Sequence, residues 1–147
     1  MPALTFRIET LGVGKSVVQM RRIADATERA TMRNQHDEAV AVVELARTKY
    51  VPIELGRLAN SGKVSKTTRR GRRITTIVSF GGDGIDYAIA IHENPSGSTP
   101  PSWIGKEINF SPAGTGPKYL ERASRERSSG MTRRLGSQIE VSQRSAL

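Results

Sequence analysis

The 147-residue chain contains no cysteine. Disulfides, iron–sulfur clusters, cysteine zinc sites and thiol catalysis are therefore excluded, and a disulfide-stapled secreted scaffold with them. Aromatic residues make up only 5%, so a platform for stacking unpaired bases is not expected. No stretch approaches the roughly 20 apolar residues of a membrane span. The opening Met1-Pro2-Ala3-Leu4-Thr5-Phe6-Arg7 carries a charge and no long apolar run, so no secretion signal is read there. These absences point to a soluble protein made in the cytoplasm. Histidine is limited to His36 and His92. Pairing His92 with Glu93 at a metal or as a general base is not expected, because neighbours on a strand point to opposite faces. No Gly-x-Ser-x-Gly nucleophile turn occurs either. The expectation is a protein with no catalytic residue, no metal and no cofactor.

The length suits one domain over 1–147, since domains commonly run to roughly 100–200 residues. Charge is abundant and unevenly placed. Lys and Arg number 23 against 14 Asp and Glu, a net charge of +9. Residues 1–56 hold 8 basic and 7 acidic groups, 57–73 hold 7 and none, 74–116 hold 1 and 4, and 117–147 hold 7 and 3. The surplus thus sits in a short central run and a C-terminal tail, with an acidic block between them. That polarity suits self-assembly as readily as nucleic-acid binding.

Leu4-Thr5-Phe6-Arg7-Ile8-Glu9 alternates apolar and polar residues and reads as a strand. Ser16-Val17-Val18-Gln19 fits a capping box, and Pro52 stops the helix near Tyr50. About 34 residues of helix would span about 50 Å, more than the diameter of a small domain. Ala39, Val42, Val43, Ala46 and Tyr50 form a core stripe, whereas Arg33-Asn34-Gln35-His36-Asp37-Glu38 is polar all round. Such a waist bridges solvent, bends, or meets a neighbouring subunit. The β-branched runs 63–68 and 74–80 flank Arg69-Arg70-Gly71-Arg72-Arg73 and predict a hairpin with a basic tip. Tyr87, Ile89 and Ile91 alternate with alanines and predict a further strand of a small antiparallel sheet. Residues 94–116 read as an extended loop. Pro117 opens a second helix, weakened at Ser128-Ser129-Gly130 and frayed over 141–147. The fold class is α+β: a small antiparallel sheet with a basic hairpin, packed against one long N-terminal helix and a C-terminal helix.

Gly12-Val13-Gly14-Lys15-Ser16 invites a phosphate-loop reading, but the full pattern needs glycine at position 9, where Glu9 stands. The glycines instead end the first strand. The arginine run is the sharper signal: Arg69, Arg70, Arg72 and Arg73 can grip phosphates. The alternatives are a solvated tip, or pairing with the acidic block of another copy.

Three segments in order resemble the small tail-completion, or head-to-tail joining, proteins of long-tailed bacteriophages. They are Ala46 to Ser61, with Pro52, Gly56, Leu58 and Ser61; Tyr87 to Glu93; and Pro117 to Ala123, with Leu120. The likeness covers roughly residues 15–140, the size of one domain. Family members often follow the glutamate with a compact turn, where this chain has the longer loop from Asn94 that contains Trp103. The resemblance implies a homo-oligomeric ring, sixfold, at the virion neck between head and tail, assembled in the host cytoplasm without a catalytic step or a membrane. Its implied partners are the adjacent neck or stopper protein, the tail terminator and the tail tube. Subunit contacts would fall on Met20, Ile23, Thr27, Arg33, Gln35 and His36, with the arginines facing a partner ring or DNA in the channel. The other class of function is a free, non-specific DNA-binding protein using Arg69 to Arg73.

Overall fold

A computed structural model describes residues 12–52, 55–82, 84–85, 87–93 and 114–146. The strand expected over Leu4–Glu9, Trp103 and most of the 94–116 loop lie outside the described residues. Helix α1 spans Val13–Leu45. Gly12, in the left-handed region at φ 87°, sets its start, and no side chain caps it. This corrects the capping box: Ser16 lies one turn inside, and its hydroxyl donates to the Gly12 carbonyl at 3.3 Å. Thr27 and Thr31 likewise donate to the carbonyls of Ile23 and Thr27, both at 2.8 Å.

The helix ends as expected, near Tyr50, through a wider turn. Ala46–Tyr50 is π-helical, and Val51 N–H donates to the Ala46 carbonyl at 2.9 Å. The wide turn buries both Ala46 and Tyr50 just before the buried Pro52 stops the helix. Around them the core gathers Val51, Leu58, Ala88, Ile91, Tyr119 and Ala123, with Phe80 and Leu120 packed on its edge. Phe80 meets Tyr119 edge-on at 5.4 Å. Burial pushes the Tyr119 hydroxyl up to about 12, and it donates to the Ala88 carbonyl at 3.3 Å.

After α2 (Gly56–Asn60) the chain forms one long hairpin in two ladders. Strand β1 (Lys63–Val64) pairs with β4 (Val78–Ser79), and β2 (Thr68–Arg70) with β3 (Arg73–Thr75), all antiparallel. Thr67 and Thr76 join hydroxyls at 2.7 Å between the ladders. Gly62 lets the hairpin approach α1: a Cβ there would lie 2.7 Å from Val43 Cγ1 and 2.8 Å from Phe80 Cε1. The basic hairpin is therefore present as expected.

The strand expected from Tyr87 to Ile91 is instead a short helix, α3 (Ala88–Glu93). Ala88 and Ile91, three residues apart, are the buried pair, and Ile89 is 76% exposed. Five residues in which Tyr87, Ile89 and Ile91 alternate with alanines satisfy both periods, and packing against the core selects the helical one.

The C-terminal helix is two: α4 (Tyr119–Ser128) and α5 (Met131–Arg144), broken where Gly130 takes φ 75°. Helix continues as far as Arg144, into the first part of the 141–147 segment expected to fray. Helix α5 starts beside Glu38 and ends beside Thr27, where Gln143 donates to the Thr27 hydroxyl at 3.0 Å. It therefore runs antiparallel along α1. This accounts for part of the polar waist: Asn34 and Glu38 are buried within the chain, while Arg33 and Asp37 stay exposed. Glu38 accepts from Arg127 Nη2 and Arg134 Nε, each at 2.7 Å. The buried Asn34 amide nitrogen finds no partner among the described residues.

The Arg134 hydrogen bond, then Arg127, hold the Glu38 carboxyl below its ordinary value against the opposing effect of burial. Its stabilisation is complete above the unfolded glutamate value of about 4.3 and is lost as pH falls through the lower folded value. Glu38→Gln should therefore unfold at lower urea concentration at about pH 7, with the gap to the parent closing between about pH 5 and pH 3. A gap constant with pH would show that the charge does not hold α5. Leu58→Ala should cost about 2–5 kcal/mol in the same titration, since its side chain is wholly enclosed.

Candidate functional site

The arginine hairpin is built on a two-residue turn. Gly71 takes φ 60°, and Arg72 is not among the positive-φ residues, the pattern of a II′ turn whose twist suits the flanking strands. In that register Arg70 stands directly across from Arg73. Two like charges face each other on adjacent strands, an arrangement that destabilises a hairpin unless an anion compensates it. Among the described residues, Arg70, Arg72 and Arg73 have no acidic partner. Arg69 differs from them. Its guanidinium donates to Glu28 of α1 and, through Nε, to the Gly71 carbonyl at 2.8 Å. Gln35 Nε2 donates to the Ile74 carbonyl at 3.3 Å. The four arginines therefore split into one anchor and three free charges.

Where the hairpin lies against α1, a groove of about 570 Å³ opens. Met20, Ile23 and Ala24 of α1 and Ile74 of β3 supply apolar lining, Arg72 and the Arg69–Glu28 pair are its charged members, and Gln143 closes one end. Met20 is 69% exposed. Of the residues expected at a subunit interface, Met20, Ile23 and Thr27 come together here. Gln35 is used within the chain on the hairpin. Arg33 is exposed and His36 half-buried, and neither makes a side-chain hydrogen bond among the described residues. Glu28, Ile74 and Gln143 were not legible as site residues, because they lie far apart in sequence and are joined by packing.

The motif residues knit the core. Pro52 and Leu58 are fully buried, and Gly56 opens α2. Ser61 donates to the Leu58 carbonyl at 2.7 Å and accepts from Gly81 N–H at 2.8 Å. Tyr87 and Leu120 pack on the core's margin. Glu93 accepts from Lys118 and meets His92 Nδ1 at 2.9 Å, an adjacent-residue contact that a strand would have forbidden and α3 permits. Lys118, then His92, hold the Glu93 carboxyl below its usual range. Lys49 and Tyr50 do the same to Glu126. Among the described residues, no group of three or more acids and histidines converges as a metal site, and no helix is long and apolar enough to cross a membrane.

No family model, no curated protein and no solved structure matches this chain.

Both partners of the Arg69–Glu28 pair are more than a third exposed, so Arg69→Ala should cost less than about 1 kcal/mol globally. It should still speed amide exchange in β2 and β3, because it removes one of the hairpin's ties to α1. Arg72→Ala should leave that exchange unchanged. Equal effects of the two substitutions would mean that Arg69 is not the anchor.

Proposed function

We propose that copies of this chain form a ring at the phage neck that completes the tail and joins it to the DNA-filled head, with no chemical step of its own. The observation that carries this reading is the charge of Arg70, Arg72 and Arg73, without an acidic partner among the described residues, on a two-residue turn beside the open groove. A surface holding like charges opposed and apolar side chains exposed gains free energy when a complementary surface covers it. The order of the three motif segments supports the phage context, and the partners are then the neighbouring stopper, terminator or tube rings. Particles made without this chain should appear in negative stain as full heads beside separate, complete tails. Joined particles with empty heads would overturn the reading.

The same three arginines favour a second reading, a free DNA-binding protein. Three phosphate contacts would give a salt slope of about −2.7 for duplex retention. Under that reading the triple variant Arg70→Ala, Arg72→Ala, Arg73→Ala should lose most of the slope. Under the joining reading the isolated chain retains duplex DNA weakly, and the triple variant blocks head–tail joining instead. Tight, salt-steep retention by the isolated chain with joining intact in the variant would select the DNA reading.

A further inference from the structure

The two faces of the hairpin differ in what they offer. Arg69 stands opposite Ile74 across the ladder, and the next pair toward the turn is Arg70 with Arg73. Successive residues of a strand point to opposite faces. Arg69 and Ile74 therefore turn toward α1, where both line the groove, while Arg70 and Arg73 turn away and line none of it. Of the three charged side chains in the groove, Glu28 and Arg69 neutralise each other. Arg72 is left as the one charge the groove presents, and no acid among the described residues meets it.

The floor asks for a second kind of contact. Met20 is 69% exposed, and Ile23 and Ile74 are half-buried, so the groove shelters only one side of whatever lies in it. A pocket built for a small ligand encloses most of that ligand's surface. An open trough between a helix and a ribbon instead suits one face of a protein segment, whose apolar anchors recur at helical spacing. A nucleic-acid backbone could meet Arg72 but would gain nothing by covering Met20, Ile23 and Ile74. The complement of an apolar floor with an unmatched arginine beside it is an apolar side chain with a carboxylate beside it. We infer that the groove receives an acidic amphipathic segment of a partner protein, which seats aliphatic side chains on Met20, Ile23 and Ile74 and a carboxylate on the Arg72 guanidinium. The partner's place in the virion rests on the proposed ring; the chemistry of the contact does not.

Labelled synthetic peptides of about 15 residues test this on the isolated chain. The probe carries leucine at i, i+3, i+4 and i+7 with glutamate between, and its two controls replace the glutamates by lysine or the leucines by serine. Fluorescence anisotropy should show the leucine–glutamate peptide bound and both controls weaker by about tenfold or more. Arg72→Glu should weaken it about tenfold and Arg70→Glu less than about twofold, although the two change the net charge equally. Met20→Ser should weaken it about fivefold and leave the serine–glutamate control unchanged. Met20 and Arg72 are both exposed, so these substitutions spare the core, and circular dichroism confirms the fold. Equal losses from Arg72→Glu and Arg70→Glu would overturn the inference in favour of a diffuse positive field. No effect of Met20→Ser, or no binding at about 1 mM peptide, would overturn it too. So would displacement of the probe by decanoate, which would give the groove to a small amphiphile. Retention of duplex DNA that falls with Arg72→Glu and not with Arg70→Glu would give it to a nucleic acid, and self-association of the chain that Met20→Ser abolishes would give it to a second copy. Full heads beside separate tails in particles lacking the chain, with no peptide bound, would refute this contact and leave the ring standing. Peptide binding with joined particles in its absence would keep the contact and refute the ring.

Discussion

Glu38 stands two turns before the end of a 33-residue helix with its side chain only 10% exposed, and two guanidinium groups reach it from helices that follow almost a hundred residues later. Its two oxygens take all four of those N–H donors, and Arg134 also bonds the carbonyls of Arg127 and Ser129. One side chain therefore ties the end of α4 and the start of α5 to α1, on either side of the break at Gly130. The dependence is strong because α5 has no fully buried residue. A helix with so little enclosed apolar surface gains little from the hydrophobic effect, so directional charge-assisted bonds must supply much of what seats it. Removing the carboxylate would leave two partly sheltered cations facing each other.

Three other acids of the described chain follow a similar economy, whereas Glu44 and Glu121 pair with arginines one turn along their own helical run. Glu126 takes Lys49 and the Tyr50 hydroxyl, Glu93 takes Lys118, and Glu28 takes Arg69. In each of these pairs the partners come from different elements, so the contacts tie segments together more than they decorate one helix. With 23 basic groups against 14 acidic ones, this use of carboxylates for internal ties leaves positive charge unmatched, and the hairpin turn is where it gathers. The electrostatics of the outer surface thus follow from how the interior is fastened.

Local chemistry made part of this legible. Pro52 marked the end of α1, and β-branched runs around Arg69–Arg73 marked the hairpin, because both signals act over a few residues. The Tyr87–Ile91 pattern failed for a local reason: alternation over five residues does not distinguish a strand from a helix whose buried positions are 88 and 91. The inward-facing part of the polar waist was hidden for a non-local one. A glutamate at position 38 reads as solvated until Arg127 and Arg134 arrive, and no periodicity near residue 38 announces them. The same limit hid Glu28, Ile74 and Gln143, whose roles exist only once three separate segments are side by side. Met20, Ile23 and Thr27 were legible because small and apolar residues at helical spacing showed a face too thin for a core of its own.

The groove therefore inherits its shape from distant contacts. Its α1 wall is rigid by virtue of the helix, its hairpin wall is held by Gln35 on the Ile74 carbonyl and by Glu28 on Arg69, and its end wall is Gln143. That last residue is positioned by α5, which extends about 14 Å from Arg134 to Gln143 at 1.5 Å per residue. Among the described residues, the Glu38 clamp ties the start of α5 to α1 and the Gln143–Thr27 hydrogen bond ties its far end. The end of the groove lined by Gln143 thus depends on polar contacts at both ends of one helix, neither of which touches the arginines at the hairpin tip.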